Sequence, residues 1–213
     1  MRQILILITI ILLSVASYGQ DTIRIKHINY TTVFSKSKRY PVLVEWWDTK
    51  AKSSCKSQLD RKDQFQKDPK LPQYTSLGAD YVNGGYDRGH MCPAADNECL
   101  GTQVLTECFY FSNMAPQPHP FNAGIWKTLE TLTRNLSLKN DSVHVWAGSV
   151  GSIKTIGKDN VSVPTQCWKV IYIKSLNQKS AYLFNNTAEK VPNLDSRKVD
   201  VKVIEKLTGF KFN

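Results

Sequence analysis

Runs of β-branched and aromatic residues recur along the chain at Ile23–Ile28, Tyr40–Trp47, Phe109–Phe111, Val143–Ala147, Cys167–Lys174 and Ala181–Phe184. Turn formers bound several of these runs, so each predicts a strand. Ser175 to Gln178 predicts a hairpin loop between the last two. Helical spacing appears twice. Ile125, Leu129, Leu132 and Leu136 fall within about 60° on a helical wheel, the core-facing stripe of a helix from Asn122 to about Leu136. Val201, Ile204 and Leu207 do the same for a helix from about Val199 to Leu207, with Gly209 placed as its stop. The polar stretch from Ala51 to Tyr86 reads as a long surface loop, a kind that is usually functional or disordered. Successive strands are not separated by regular helices. The expected fold is therefore α+β, a mainly antiparallel central sheet flanked by helices.

The helix from Asn122 carries a second stripe, in which Asn122, Trp126, Glu130 and Arg134 follow one another at four-residue steps. Residues four apart sit one above the other on a helix surface, so an amide, a carboxylate and a guanidinium line one edge. Each has a plainer reading. Asn122 could be an N-cap, and Glu130 with Arg134 an ordinary ion pair. The helix by itself proves little. Trp47, Trp126, Trp146 and Trp168 read as core side chains rather than platforms for stacking bases.

The first residues bear on compartment. Arg2 is the only charge before Asp21, an apolar run follows it to Leu13, and Ser14, Ala16, Ser17 and Gly19 are small. That is the layout of a secretory signal peptide, over residues 1–19. A bilayer span takes about 20 apolar residues, so an uncleaved anchor is the lesser alternative and stable membrane association is not expected. Residues 20–213 then suit one domain. Loss of Arg2 leaves 27 basic against 18 acidic residues, a net +9. Such a surplus fits nucleic acid, anionic lipid or a plain soluble cationic protein, and does not choose among them. Five cysteines follow the leader: Cys55, Cys92, Cys99, Cys108 and Cys167. Export favours disulfides, and their spacing suits no zinc site. Two bridges with one thiol over can be drawn in fifteen ways, and the sequence selects none.

The segment Gly85-Tyr86-Asp87-Arg88-Gly89-His90-Met91 changes the odds. A histidine among Asp, Arg and Gly at the end of a loop is a candidate general base, or else a structural imidazole. Further along stand Ser112-Asn113-Met114-Ala115-Pro116-Gln117, then Asn122, Trp126 and Leu129-Glu130, then Val163-Pro164-Thr165 ahead of Lys169-Val170, then Glu205-Lys206-Leu207-Thr208-Gly209. In order and spacing, from about Phe65 to Phe210, these blocks resemble the sugar-nonspecific DNA/RNA endonucleases of the ββα-metal (His-Me finger) class, whose signature is Asp-Arg-Gly-His. One departure is Cys92, where that family commonly has a small apolar residue. A disulfide there would staple the loop carrying His90.

The resemblance implies roles residue by residue. His90 resembles the general base that takes a proton from the attacking water. Asn122 resembles the single direct protein ligand of a catalytic Mg2+, with Mn2+ as a substitute, in a shell otherwise of water and phosphate. Glu130 resembles the carboxylate that orients water around the metal. Arg88 and Arg134 resemble phosphate clamps, Asn113 a polar orienter, and Asp87 a buttress of the loop. Arg61 matches a family arginine only through a gapped polar stretch. The implied protein is a secreted or periplasmic nuclease of DNA and RNA that leaves 5′-phosphates and reads phosphates rather than sequence, with any inhibitor protein unknown. Two rivals remain: the same site turned to another phosphodiester, and a catalytically inactive nucleic-acid-binding module.

Overall fold

The computed structural model describes residues 21–55, 64–76 and 78–213. The leader expected at 1–19 and Arg61 both lie outside the described residues. In chain order come strands β1 (Thr22–Lys26), β2 (Tyr30–Ser35) and β3 (Tyr40–Thr49), then helices α1 (Lys50–Ser54) and α2 (Gly78–Val82). Strand β4 (Asp87–His90), helix α3 (Thr102–Cys108) and strand β5 (Met114–Gln117) follow. A π-helical turn, Phe121–Trp126, runs into helix α4 (Lys127–Asn140). Strands β6 (Ser142–Val150), β7 (Lys154–Ile156), β8 (Val161–Val163), β9 (Gln166–Ile173), β10 (Gln178–Asn185) and β11 (Lys198–Val199) precede helix α5 (Val201–Thr208).

Among the described residues, seven strands form one sheet in the order β1-β2-β3-β6-β9-β10-β11. Every neighbouring pair is antiparallel, as the absence of crossover helices predicted. Its middle is apolar: Val42, Val44, Val145, Ala147, Trp168 and Val170 are all buried. Leu129 of α4 is fully covered, and Ile125, Leu132 and Leu136 pack on the same core, so the predicted apolar stripe does face inward. Each such side chain contributes about 1.5–3 kcal/mol on burial. At the other end Phe212 lies 5.5 Å from the rings of both Trp146 and Trp168. Gly209 stops α5 in a left-handed conformation, φ 74°, where its N–H donates to the Glu205 carbonyl.

Several expectations are corrected. Phe109–Phe111 is not a strand: Phe109 ends α3, Phe111 opens a 3-10 turn, and only Tyr110 bridges to Gln66. The alternation there marks two rings buried on either side of one half-covered residue. Strand β2 escaped notice because its inward positions include Thr32, whose hydroxyl donates to the Ser112 carbonyl at 3.0 Å. The Ala51–Tyr86 stretch contains α1 and α2, and buries Asp68, Leu71, Thr75, Ser76, Asp80 and Tyr81. Asp68 stands 3.2 Å from His27 Nε2 and accepts from the Ser112 hydroxyl, so the described part around Asp68 is anchored to the body of the fold. Trp47 is 39% exposed and stacks on His144 at 4.5 Å, unlike the other three tryptophans named above, which are buried.

Candidate active site

Strands β4 and β5 pair antiparallel, with Asp87 opposite Gln117, Arg88 opposite Pro116, Gly89 opposite Ala115 and His90 opposite Met114. No apolar alternation marks β4. Its extended form comes from that pairing and from the buried Gln117 side chain lying across it. A Cβ at Gly89 would stand 2.1 Å from Gln117 Oε1, so glycine is required between Arg88 and His90. The π turn and α4 follow directly, giving two short strands and a helix around one mouth.

Two cavities open there. One, of about 240 Å³, is lined by His90, Pro93, Ala94, Ala95, Asn122, Ala123, Lys127, Glu130 and Arg134. The other, of about 480 Å³, is lined by Phe65, Val82, Gly85, Tyr86, Asp87, Arg88, His90, His119 and Asn122. His90 and Asn122 belong to both and stand at the junction. The His90 ring is flanked by Phe109, edge-on at 5.2 Å, and by Phe65 at 5.6 Å. Its backbone carbonyl accepts from Trp126 Nε1 at 3.0 Å.

Asn122 is not an N-cap. It sits inside the π turn, and its amide donates to Asp87 Oδ2 at 2.9 Å. With the NH2 so engaged, Oδ1 is the amide atom left to bind a cation. Asp87 also meets His119 Nδ1 at 2.9 Å, so it ties β4 to the approach of the helix. The expected stripe shifts by one residue. Gly124, at φ −99° and ψ −111°, breaks the helical path, and a turn one residue wider follows. Asn122 therefore shares the wall with Lys127, five residues on, together with Glu130 and Arg134, while Trp126 rotates into the core.

The remaining predicted residues occupy different depths. Arg88 lines the larger cavity, its guanidinium 4.2 Å from the centre of the Phe65 ring. Arg134 lines the smaller one and donates to Asp96 Oδ1 at 3.1 Å and to the Thr131 hydroxyl at 3.2 Å. Asn113 reaches neither cavity. It is buried behind His90, where its amide donates to the carbonyls of Cys92 and Cys108, both at 2.9 Å, and its oxygen accepts from Cys92 N–H.

Beneath the mouth lies a set of charges that sequence reasoning did not identify. Asp96 is buried, accepts from Arg134, and is 3.3 Å from Trp46 Nε1. Burial pushes its carboxyl up, while Arg134 and then Lys169 pull it back. Lys169 of β9 is wholly buried, and its ammonium has no hydrogen-bond partner among the described residues. It lies 4.5 Å from the Trp126 ring centre and 5.6 Å from that of Trp46. Burial lowers its pKa, and the nearby Glu130 and Asp96 carboxylates favour its charge. A lysine in a buried strand alternation was the available signal for it. Lys127 was legible as the neighbour three residues before Glu130, but nothing flagged Asp96 or His119.

These two strands, turn and helix gather a histidine, an amide oxygen and flanking cations on one mouth. The profile of the DNA/RNA non-specific endonuclease family matches residues 11–213, and the chain belongs to that family. It is 30% identical over 207 residues to the mitochondrial nuclease EXOG of Homo sapiens, covering 87% of this chain and 55% of that protein. It is 36% identical over 167 residues to nuclease C1 of Cunninghamella echinulata var. echinulata, covering 70% and 65% of the two chains. The solved EndoG/EndoGI complex superposes with a TM-score of 0.82 at 28% identity, over 89% of this chain and 84% of the other. This chain spans 55–57% of the length of the human, mouse and Xenopus laevis EXOG proteins it matches.

Proposed function

We propose that this chain is an exported, Mg2+-dependent endonuclease that hydrolyses DNA and RNA with little sequence preference, and that His90 and Asn122 are the centre of its site. The observation that carries the reading is their joint position at the junction of two cavities flanked by Arg88, Lys127 and Arg134. Among the described residues no three His, Cys, Asp or Glu side chains cluster as a metal cage. The donor set that remains, the Asn122 amide oxygen with the Glu130 carboxylate on the same wall, suits a hard cation that keeps most of its water. Bound there, Mg2+ would supply Lewis-acid stabilisation of the charge added to the phosphate.

The chain's own groups do the rest. His90 accepts a proton from the attacking water, with Phe109 and Phe65 fixing its ring and Trp126 its backbone. Asp87 orients the Asn122 amide. Glu130 accepts hydrogen bonds from water on the cation's side. Arg88, Lys127 and Arg134 hold the anionic strand through its phosphates, which explains indifference to base sequence. The P–O3′ bond breaks, leaving a 5′-phosphate and a 3′-hydroxyl. The apolar leader with its single Arg2 supports export. An inhibitor protein is a partner consistent with this reading, since the similar solved structure is an EndoG/EndoGI complex described as explaining EndoG inhibition.

Supercoiled plasmid incubated with Mg2+ or with EDTA tests the reading. Nicking with Mg2+ and none with EDTA is the expected result. Binding without cleavage under both conditions would make the chain an inactive nucleic-acid-binding module and overturn the proposal.

A further inference from the structure

Among the described residues there is one disulfide, Cys55–Cys99, which ties the end of α1 to the segment between β4 and α3. Cys92, Cys108 and Cys167 are buried thiols, and none enters the chemistry above. Two of them are neighbours. The amide nitrogen of Asn113 donates to the Cys92 carbonyl and to the Cys108 carbonyl, at 2.9 Å each, so one side chain holds both cysteine backbones together. Each thiol lies in the other's field, and Tyr30 and Lys52 lie in the field of both. Asn97 further fixes Cys92, donating from Nδ2 to its sulfur at 3.4 Å, and Cys108 Sγ donates to the Val104 carbonyl at 3.4 Å. Cys167 is elsewhere: its sulfur meets Gln117 Nε2 at 3.5 Å and the Ser149 hydroxyl at 3.7 Å.

We propose that Cys92 and Cys108 form a second disulfide during oxidative folding, fastening the segment that leaves His90 to the end of α3. The reaction is thiol–disulfide exchange with a small-molecule disulfide such as oxidised glutathione. The thiolate of one cysteine attacks that disulfide, forms a mixed disulfide and expels one glutathione thiolate. The second cysteine thiolate then attacks the protein sulfur, the Cys92–Cys108 bond closes, and the second glutathione leaves. Two electrons pass from the cysteine pair to oxidised glutathione, and the two cysteine protons end on the glutathione thiols. Burial, and then Cys108, push the Cys92 thiol well up, so its thiolate is scarce in the folded chain. The exchange therefore belongs to folding, before the pair is covered. It resolves the odd cysteine count as two bridges and one thiol, Cys167. It also places a covalent link where Asn113 otherwise supplies hydrogen bonds alone.

The test uses the full chain, reduced and unfolded, then refolded in a glutathione redox buffer. Free thiols are blocked with maleimide in denaturant, and unreduced peptides are mapped by mass spectrometry. One maleimide per chain, on Cys167, with the Cys92 and Cys108 peptides linked, is the expected result. Three maleimides per chain, a glutathione adduct on either cysteine without the link, or a link from either to Cys167 would each overturn it. A C92A/C108A variant refolded alongside should show the Cys55–Cys99 link, one maleimide and a lower denaturant midpoint than the oxidised wild type. An unchanged midpoint would count against the pair as a fastening. The thiol count does not depend on nuclease activity, so its failure and failure of the nuclease reading are separate results.

Discussion

The seven-stranded sheet satisfies its polar groups in backbone ladders and fills the space over it with Val, Trp and Phe side chains. The finger made of β4, β5, the π turn and α4 is built differently, burying amides and charges that hold its backbone one bond at a time. Asn113 clamps two carbonyls, Trp126 holds the His90 carbonyl, and Asp87 holds Asn122. Beneath them Asp96, Arg134 and Lys169 share a buried charge set. In the sheet a side chain is replaceable by another of similar volume. In the finger the Asn113, Trp126 and Asp87 contacts each have a named partner, and losing one strands that partner in low dielectric.

If that contrast is right, the two regions should respond oppositely to substitution. The largest expected effect is on activity alone. His90→Ala should cut the initial rate on plasmid DNA by the 10²–10⁴-fold (about 3–5 kcal/mol) typical of losing a general base, with the melting temperature nearly unchanged. Retention of more than a tenth of the wild-type rate would remove His90 from the mechanism.

Next comes the charge set. Lys169→Met keeps the length and removes the cation, leaving Asp96 and Glu130 with less compensation. Breaking a buried charge arrangement costs about 3–5 kcal/mol, read as a lower urea midpoint. An unchanged midpoint would show that the ammonium is not part of the support. In the sheet, Ile171→Ala deletes a side chain 1% exposed and should cost about 2–5 kcal/mol while the folded protein cleaves at the wild-type rate. A tenfold loss of rate in the folded variant would blur the distinction.

The smallest effect lies at the seam. Asp48 of β3 is buried, accepts from the Ser53 hydroxyl, and is pushed up to about 6 from 3.8 by burial and then by the Asp96 carboxylate. Below about pH 3 the carboxyl is protonated in folded and unfolded chains alike. Between there and pH 6 the folded state binds more protons than the unfolded one, so stability falls as pH rises and then levels off, by roughly 3 kcal/mol. Asp48→Asn should remove that fall. Parallel stability curves for wild type and variant from pH 4 to 7 would contradict it.

How much of this was legible follows the same division. Strands β3, β6, β9 and β10 announced themselves because buried apolar residues recur along them. Strand β4 did not, since Asp-Arg-Gly-His has no apolar period and is extended only because β5 pairs with it and Gln117 covers Gly89. The motif named His90, Arg88, Asn122, Glu130 and Arg134, and the structure brings all five to the two joined cavities. It could not give the register of the helix, because one unhelical residue, Gly124, moves Trp126 inward and Lys127 to the wall. Asp96 was invisible for a different reason: a buried carboxylate announces itself only through partners distant in sequence, whereas Lys169 showed only as a lysine inside a buried strand run.

The most direct test of the central claim is the initial rate of Asn122→Ala on double-stranded DNA and single-stranded RNA across a Mg2+ titration, beside wild type. If the Asn122 amide oxygen holds the cation, both rates should fall together at every Mg2+ concentration, and the titration midpoint should move to higher Mg2+. Wild-type rates on both substrates with an unshifted titration, or RNA cleavage alone that persists in EDTA, would contradict the account.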